Sequence, residues 1–447
     1  MKTITNKFKL VAVLGLAFLV LPLIAQQQRD LQYFRYNDKR GINVFETKKE
    51  DSVKFDGVKV VVGGAFTQQY QNLKHSTEFV PTLPPDDPNL GSQLLKEISP
   101  GFNNATANLN LDVQLDDGIR LKLVTYLSAR HHTETWVKGG YIQFDKLPFN
   151  SALIDGLMEN LTIKIGHMEV NYGDAHFRRT DNGNAIYNPF VGNYIMDAFT
   201  TEIGGEIYYQ NSMGILGMVG LTEGLIKGDA SGTFEQKPSL YFKFGYDKQI
   251  NDLVRFRLTG SMMNAGQTER NTIYGGDRTG SRYYYALEPQ LTMDRATKQY
   301  VSVTATNRFT SGRFNPGFNN KINSIVLNPF VKVGGLEVFG MYETSKGSSS
   351  KESVDRKVSQ MSGELLYRFL ADESIYLGTR YNKVSGELST SLPDASISRF
   401  QIVGGWFIND HVLAKFEYVN QQHKNFTGDL LEGGKFNGWV LEAVIGF

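Results

Sequence analysis

The sequence predicts an all-β protein, an antiparallel transmembrane β-barrel of about sixteen strands. Three observations predict it. Segments of roughly ten residues alternate apolar and polar side chains, the pattern of strands with one face in lipid and one in water. The polar rows carry charges that a dry core would not tolerate. The connections between the segments alternate between tight turns and long polar loops. Past the first 25 residues no apolar run approaches the ~20 residues of a spanning helix. A closed barrel is the other architecture that satisfies every backbone group inside a membrane.

The chain starts with Lys2, Lys7 and Lys9, followed by an apolar run from Leu10 to Ala25 and then a polar stretch. A basic start, an apolar middle and a small residue before the polar stretch describe a secretory signal peptide. Cleavage is expected after Ala25. The expected organisation is therefore a signal peptide over residues 1–25, an N-terminal periplasmic segment over 26–57 and the barrel over 58–447. The whole chain has 47 basic and 46 acidic side chains. Removing three signal lysines leaves 44 against 46, near-neutral, which argues against a nucleic-acid partner. With no cysteines, the exported chain is neither a disulfide scaffold nor a Cys-anchored lipoprotein.

The strands follow in order. Val58, Val60, Val62, Gly64 and Phe66 alternate with Lys59, Val61 and Thr67. A long polar stretch containing "TLPPDDPNLG" comes next. Ala107, Leu109, Leu111, Val113 and Leu115 alternate with Asn108, Asn110, Asp112 and Gln114, up to the turn signal Asp116 to Gly118. Ile119, Leu121, Leu123 and Leu127 then alternate with Arg120, Lys122 and Tyr126. "WVKGGYIQFDKL" and "LTIKIGHM" are joined by a link of medium length. "FTTEIGGEIYYQ" puts Ile203, Ile207 and Tyr209 outward and Glu202 and Glu206 inward. "ILGMVGLT" follows. Leu240, Phe242, Phe244 and Tyr246 oppose Tyr241, Lys243 and Asp247; Val254, Phe256 and Leu258 oppose Arg255, Arg257 and Thr259. "INSIVLNPFVKV" turns at Gly334-Gly335 into "LEVFGMYET", "SGELLYRF" at "ADES" into "IYLGTRYN", and "SRFQIVGGWF" at "INDH" into "VLAKFEYVN". In the last strand, Trp439, Leu441, Ala443, Ile445 and Phe447 share one face, and Gly438, Val440, Glu442, Val444 and Gly446 share the other.

This makes sixteen strands, or 18 if the stretch from Asn264 to Asn320 holds another hairpin. Connections after strands 2, 6, 8, 10, 12 and 14 are tight. Those after strands 1, 5, 7, 9, 11, 13 and 15 are long, and the one around His131 is short. Short turns on one rim and long loops on the other belong to bacterial outer-membrane barrels, whose strand numbers are even. The expected location is the outer membrane of a Gram-negative bacterium, with outer-membrane lipid against the apolar rows. The loops Thr82 to Gly91 and Gly347 to Ser350 should face outside the cell. The last strand should pair with the first, because an edge would otherwise be left open.

The terminal Phe447 after alternating apolar residues resembles the C-terminal signature of outer-membrane barrels, which implies recognition by the barrel-assembly machinery. "YFRYNDKRGINVFETKKED", "FDGVKVVVGGAFTQQY" and "IGHMEVNYGDAHFRRTDNGNAIYNPFVGNYIMD" resemble porins of the Bacteroidetes type, distantly similar to the phosphate-selective porin O and P family. The resemblance runs along most of the mature chain. It implies a general or substrate-selective channel for small polar solutes or ions, assembled as a homotrimer. Members of that family use arginine and lysine ladders in the lumen. Here Arg120, Lys122, Arg255 and Arg257 mix with Glu202, Glu206, Glu364, Glu417 and Glu442. That departure argues for weak selectivity.

Sixteen strands enclose a lumen wide enough for water, and porins narrow it with an inward-folded loop. The candidate here is the stretch from Glu169 to Phe199. It carries Asp174, His176, Arg178, Arg179 and Asp181, with Tyr187, Pro189 and Phe190 to pin it to the wall. Opposed charges at a constriction select by size and sign. Arg178 and Arg179 are expected to face Asp174 or Glu169 there, with Arg399 and Lys415 as more distant wall charges. The residues before Val58 lie under the barrel mouth, partly plug it, or form a frayed leader. His131, His132, Asp174 and His176 lack a third metal ligand at recognisable spacing, and no GxSxG or HExxH motif appears. No enzyme activity, cofactor or metal is expected. An accessory or structural barrel within a larger assembly is the alternative to a channel.

Overall fold

The computed structural model describes residues 30–128, 135–149, 151–225, 237–268, 271–275, 284–294, 297–304 and 311–447. The expected signal peptide and the pair His131 and His132 lie outside the described residues. Sixteen antiparallel strands form the wall: β1 (Lys59–Ser76), β2 (Thr106–Asp116), β3 (Ile119–Ser128), β4 (Thr135–Phe144), β5 (Leu161–Glu169), β6 (Thr201–Gln210), β7 (Ile215–Thr222), β8 (Ser239–Gln249), β9 (Val254–Ala265), β10 (Lys321–Val333), β11 (Leu336–Ser348), β12 (Arg356–Phe369), β13 (Ile375–Gly386), β14 (Ala395–Asn409), β15 (Val412–Lys424) and β16 (Lys435–Gly446). Each pairs with the next, and β16 pairs with β1 from Ala65–Gly446 to Ser76–Lys435. The sheet is thereby closed and has no free edge.

Three short strands lie outside this wall sequence. Gly101–Phe102 adds to β1 beside Tyr70 and Gln71. Leu291–Met293 pairs with Tyr300–Ser302 in a separate two-stranded sheet. The stretch between β9 and β10 thus does hold a hairpin, but the hairpin stands apart from the wall, which keeps sixteen strands.

Side-chain direction follows the alternation. Phe242, Phe244, Leu258, Leu365, Leu441 and Ile445 are exposed on the outer surface, while Lys243, Arg257, Glu364, Glu417 and Glu442 are buried inside. Aromatic rings border the outer belt, as at membrane interfaces. Tyr209, Phe256, Tyr367, Phe369 and Trp406 sit near the tight-turn rim; Tyr70 stacks on Trp439, and Trp439 on Phe416, towards the other. The tight turns need special backbone. Gly118 closes the β2–β3 turn at φ 70°, and a Cβ there would lie 2.8 Å from the Lys146 nitrogen. The connection from β4 to β5 holds the helix α1 (Ala152–Met158).

The lumen is largely packed. Val440, Val444, Val403 and Leu413 point inward and are buried. Val444, Val403 and Leu413 meet Ala185, Ile186 and Phe190 of the long connection between β5 and β6, and Val440 clusters with Val191 of the same connection. The inner rows are therefore mixed rather than uniformly polar, because part of the wall packs against protein instead of water.

Candidate pore and its lining

The connection from Val170 to Thr200 crosses the barrel interior. A chain buried this way must satisfy its backbone groups, and inward wall side chains do so. At one end Thr67 Oγ1 donates to the Gly183 carbonyl at 2.6 Å and Thr106 Oγ1 to the Asn182 carbonyl at 3.1 Å. At the other end Lys415 Nζ donates to the carbonyls of Ala185 (2.7 Å) and Phe190 (3.2 Å). Arg380 Nη1 donates to the Gly192 carbonyl at 2.8 Å and Arg399 Nη1 to that of Asn193 at 2.5 Å. The Val191, Ile195 and Met196 N–H groups donate to Glu417, Asn382 and Gln360. Tyr376 OH donates to the Pro189 carbonyl, and Phe190 lies under the Arg380 guanidinium. Tyr187 donates instead to the Tyr36 carbonyl of the N-terminal segment.

The charged residues of this connection pair differently from the sequence-based expectation. The nearest carboxylates of Arg178 and Arg179 are not Asp174 or Glu169, although Arg179 acts electrostatically on Glu169. Arg178 bonds Glu364 of β12 at 3.1 Å and approaches Glu337 of β11 at 3.7 Å. Arg179 bonds Asp197 at 2.7 Å and reaches Asp181 at 3.4 Å. Asp174 takes both prongs of Arg257 at 2.8 Å, plus Lys243 at 3.0 Å and Thr259 at 2.7 Å. Glu169 bonds His176 at 2.6 Å, and the other His176 nitrogen meets Asn171 Oδ1 at 2.8 Å. Arg399 and Lys415 clamp the connection instead of standing at a distance from it. The physical reason is burial: Arg178 and Arg179 are both about 2% exposed, and a buried cation requires its own carboxylate. Burial would raise the Asp174 carboxyl, but Arg257 and Lys243 outweigh it and hold it below the usual range.

The remaining inward candidates divide the same way. Arg255 pairs with Asp247 at 2.7 Å. Glu202 accepts from Thr222, and Glu206 from Tyr208, Tyr241 and the Asn171 N–H. Arg120 shares Asp112 with Lys122, at 3.0 and 3.6 Å.

Between the connection and the inner face of β2–β6 lies a cavity of about 200 Å³. The wall side presents Asn108, Asn110, Arg120, Lys122, Lys138 and Lys164. Facing them are Glu169 at the end of β5, His176, Arg179 and Asp181 of the connection, and Phe34, Arg35, Phe45 and Glu46 of the N-terminal segment. Of the sequence candidates, Glu169, His176, Arg179, Asp181, Arg120, Lys122 and Glu206 thus meet in one place. Asp174, Arg178, Glu202, Arg255 and Arg257 are not among its lining.

Sequence reasoning missed Lys138 and Lys164. Simple alternation from Tyr141 and Gln143 would turn Lys138 outward. A β-bulge intervenes: Val124 pairs with Gly139 and Thr125 with Val137, leaving Lys138 as the extra residue. Val137 is consequently exposed, and Lys138 turns inward to Asp181. Lys164 does obey the alternation, opposite Glu206.

Residues 30–49 fill the tight-turn end of the lumen. Asn43 Nδ2 donates to Glu337 Oε1 at 2.7 Å, and the Lys39 N–H to the Asp410 carbonyl at 2.9 Å. Glu46 pairs with Arg257 at 2.7 Å and Lys243 at 3.1 Å.

No protein-family model matches the chain, and no curated protein matches it. Solved structures do. An anion-selective porin from Comamonas acidovorans aligns with 87% of this chain and 100% of its own at 9% identity, with a TM-score of 0.51. The outer-membrane channel DcaP of Acinetobacter baumannii aligns with 88% of this chain and 99% of its own at 10% identity and 0.50. Salmonella typhi OmpF in complex with daunomycin covers the same shares at 11% identity and 0.50. The likeness is one of fold. A closed, even-stranded antiparallel barrel with an apolar outer belt places the chain in the outer membrane of a Gram-negative bacterium.

Proposed function

We propose that the chain is an outer-membrane porin that lets small hydrophilic solutes or ions diffuse passively, along the inner face of β2–β6. The carrying observation is the cavity between that wall and the connection from Val170 to Thr200, lined by both signs of charge. The connection acts as the constriction by displacing the route to one side. Mixed lining favours weak selectivity. In this reading the tight turns face the periplasm, and the copies assemble as a homotrimer of the Bacteroidetes porin type. Purified protein in planar bilayers tests the proposal. Discrete conductance steps with a small reversal potential in a salt gradient are expected; silence would overturn it. The packed lumen favours one other reading, an accessory barrel, for which silence is the expected result.

A further inference from the structure

We infer that residues 30–49 are a displaceable plug, latched inside the tight-turn mouth and tethered to β1 by residues 50–57, so that the barrel has a plugged and an unplugged state. The inference rests on the channel reading.

The plug reaches right across the barrel. On one side the Gln32 N–H donates to Gln114 Oε1 of β2 at 3.0 Å, and Gln32 Nε2 to Asp117 in the β2–β3 turn at 2.9 Å. On the far side Lys39 Nζ donates to the Asp372 carbonyl in the β12–β13 turn at 2.6 Å. Between them Glu46 and Asn43 make the latch already described, to β8, β9 and β11. A segment bonded to opposite walls obstructs what lies between them.

The plug is also separable. Most of its anchors to the wall are polar, and water can replace those bonds on release; the apolar contacts it gives up include those of Phe45 against Phe330 and of Ile42. The tether is of a different character. Glu50, Asp51, Ser52, Lys54 and Asp56 are exposed. Two of its bonds run back to the plug, from Gln32 Nε2 to the Val53 carbonyl and from the Tyr33 N–H to Asp51. Gly57 adopts φ 120° with nothing within 4 Å of where a Cβ would lie, a hinge directly before β1. Eight extended residues reach about 27 Å, enough to carry the plug clear of the mouth without disturbing β1.

The chain has no cysteines, so an introduced pair reports cleanly. In full-length Lys39→Cys/Asp372→Cys protein in planar bilayers, a bis-methanethiosulfonate cross-linker should confine the channel to its small conductance. Reductant should restore transitions to a larger one. Glu46→Gln removes the charge that faces Lys243 and Arg257 and should raise the frequency of large openings on the order of tenfold, the loss expected for a charge-assisted hydrogen bond. Heat-dependent gel mobility checks that each variant is folded; if Glu46→Gln does not fold, the cross-link arm alone decides. Equal conductance before and after cross-linking would overturn the plug and leave the channel reading standing. Silence in every state would overturn both.

Discussion

Two parts of the same wall use inward charge in opposite ways. Along β8–β16, Lys243, Arg257, Arg380 and Lys415 each lie within 3.1 Å of a carboxylate and are almost fully buried. Three of these carboxylates are on the wall or the connection: Asp174, Glu364 and Glu442. Along β3–β5, Arg120 and Lys122 share one carboxylate, and Lys164 bonds the Tyr208 hydroxyl at 3.3 Å. The first set holds protein inside the barrel, and the second faces the cavity. The difference teaches that an inward charge in a barrel is not by itself a pore charge. Its partner and burial decide whether it is structure or lining.

The sharpest break of the comparison is to unpair the packed side. Glu364 accepts from Arg380 at 2.8 Å, Arg178 at 3.1 Å and Tyr194 at 2.5 Å. Glu364→Ala leaves two arginines buried without it and should cost about 3–5 kcal/mol. Urea titration of the reconstituted barrel measures this. A loss below about 1 kcal/mol would mean that the packed side is hydrated after all.

The outer belt supplies the next contrast. Leu258 is 45% exposed, and its neighbour Arg257 is 1% exposed. Leu258→Arg should cost about 2–4 kcal/mol if position 258 faces mid-bilayer hydrocarbon. Unchanged stability in the same titration would shift the register by one residue.

How far this contrast could be read from sequence depends on the range of the contacts. The hairpins were legible because turn, register and alternation are local, and Arg120 to Asp112 spans only eight residues. The Glu169 to Phe199 stretch stood out in the sequence through its length and its five charged or titratable residues from Asp174 to Asp181. The pairing of Arg178 was not, since Glu364 is 186 residues away and several carboxylates occupy inward rows. Lys138 was hidden by a bulge that reverses the alternation. Residues 30–49 have no period to reveal Phe45 as buried against Phe330; only the tertiary fold supplies that partner.

The plug should respond to pH on the packed side's terms. Glu46 faces Lys243 of β8, Arg257 of β9, and Asn171 and Asp174 of the connection. Burial would raise its carboxyl, but Arg257 and Lys243 outweigh it and hold it well below the usual range. A depressed folded-state pKa gives stabilisation that is complete above the ordinary carboxylate value of about 4.3 and is lost as pH falls through the depressed one. Small-state occupancy should therefore stay flat from pH 8 to 5 and fall only in stronger acid. A midpoint near neutrality would assign the latch to another group.

The smallest effect belongs to the open side. The Lys164 ammonium lies 4.5 Å from the Tyr208 ring centroid and lines the cavity. Among the described residues no ion pair joins it to a carboxylate, and Glu206, buried across the strand pair, keeps its bonds from Tyr208, Tyr241 and the Asn171 N–H, so Lys164→Ala should change stability by less than about 1 kcal/mol. Its field still acts on the route, because a solute in a cavity of about 200 Å³ passes well within the ~8 Å screening length of physiological salt. Removing one cation should move the reversal potential modestly towards cations, and Lys122→Ala with Lys164→Ala should move it further. Arg399, bonded to the Asn193 carbonyl and to Gln421, is the contrasting position: Arg399→Lys keeps the charge on the packed side and should leave the reversal potential where it was. A shift from Arg399→Lys that equals the one from Lys164→Ala would mean that ions pass along β14 rather than β5, and the division of the wall into a holding side and a lining side would have to be redrawn.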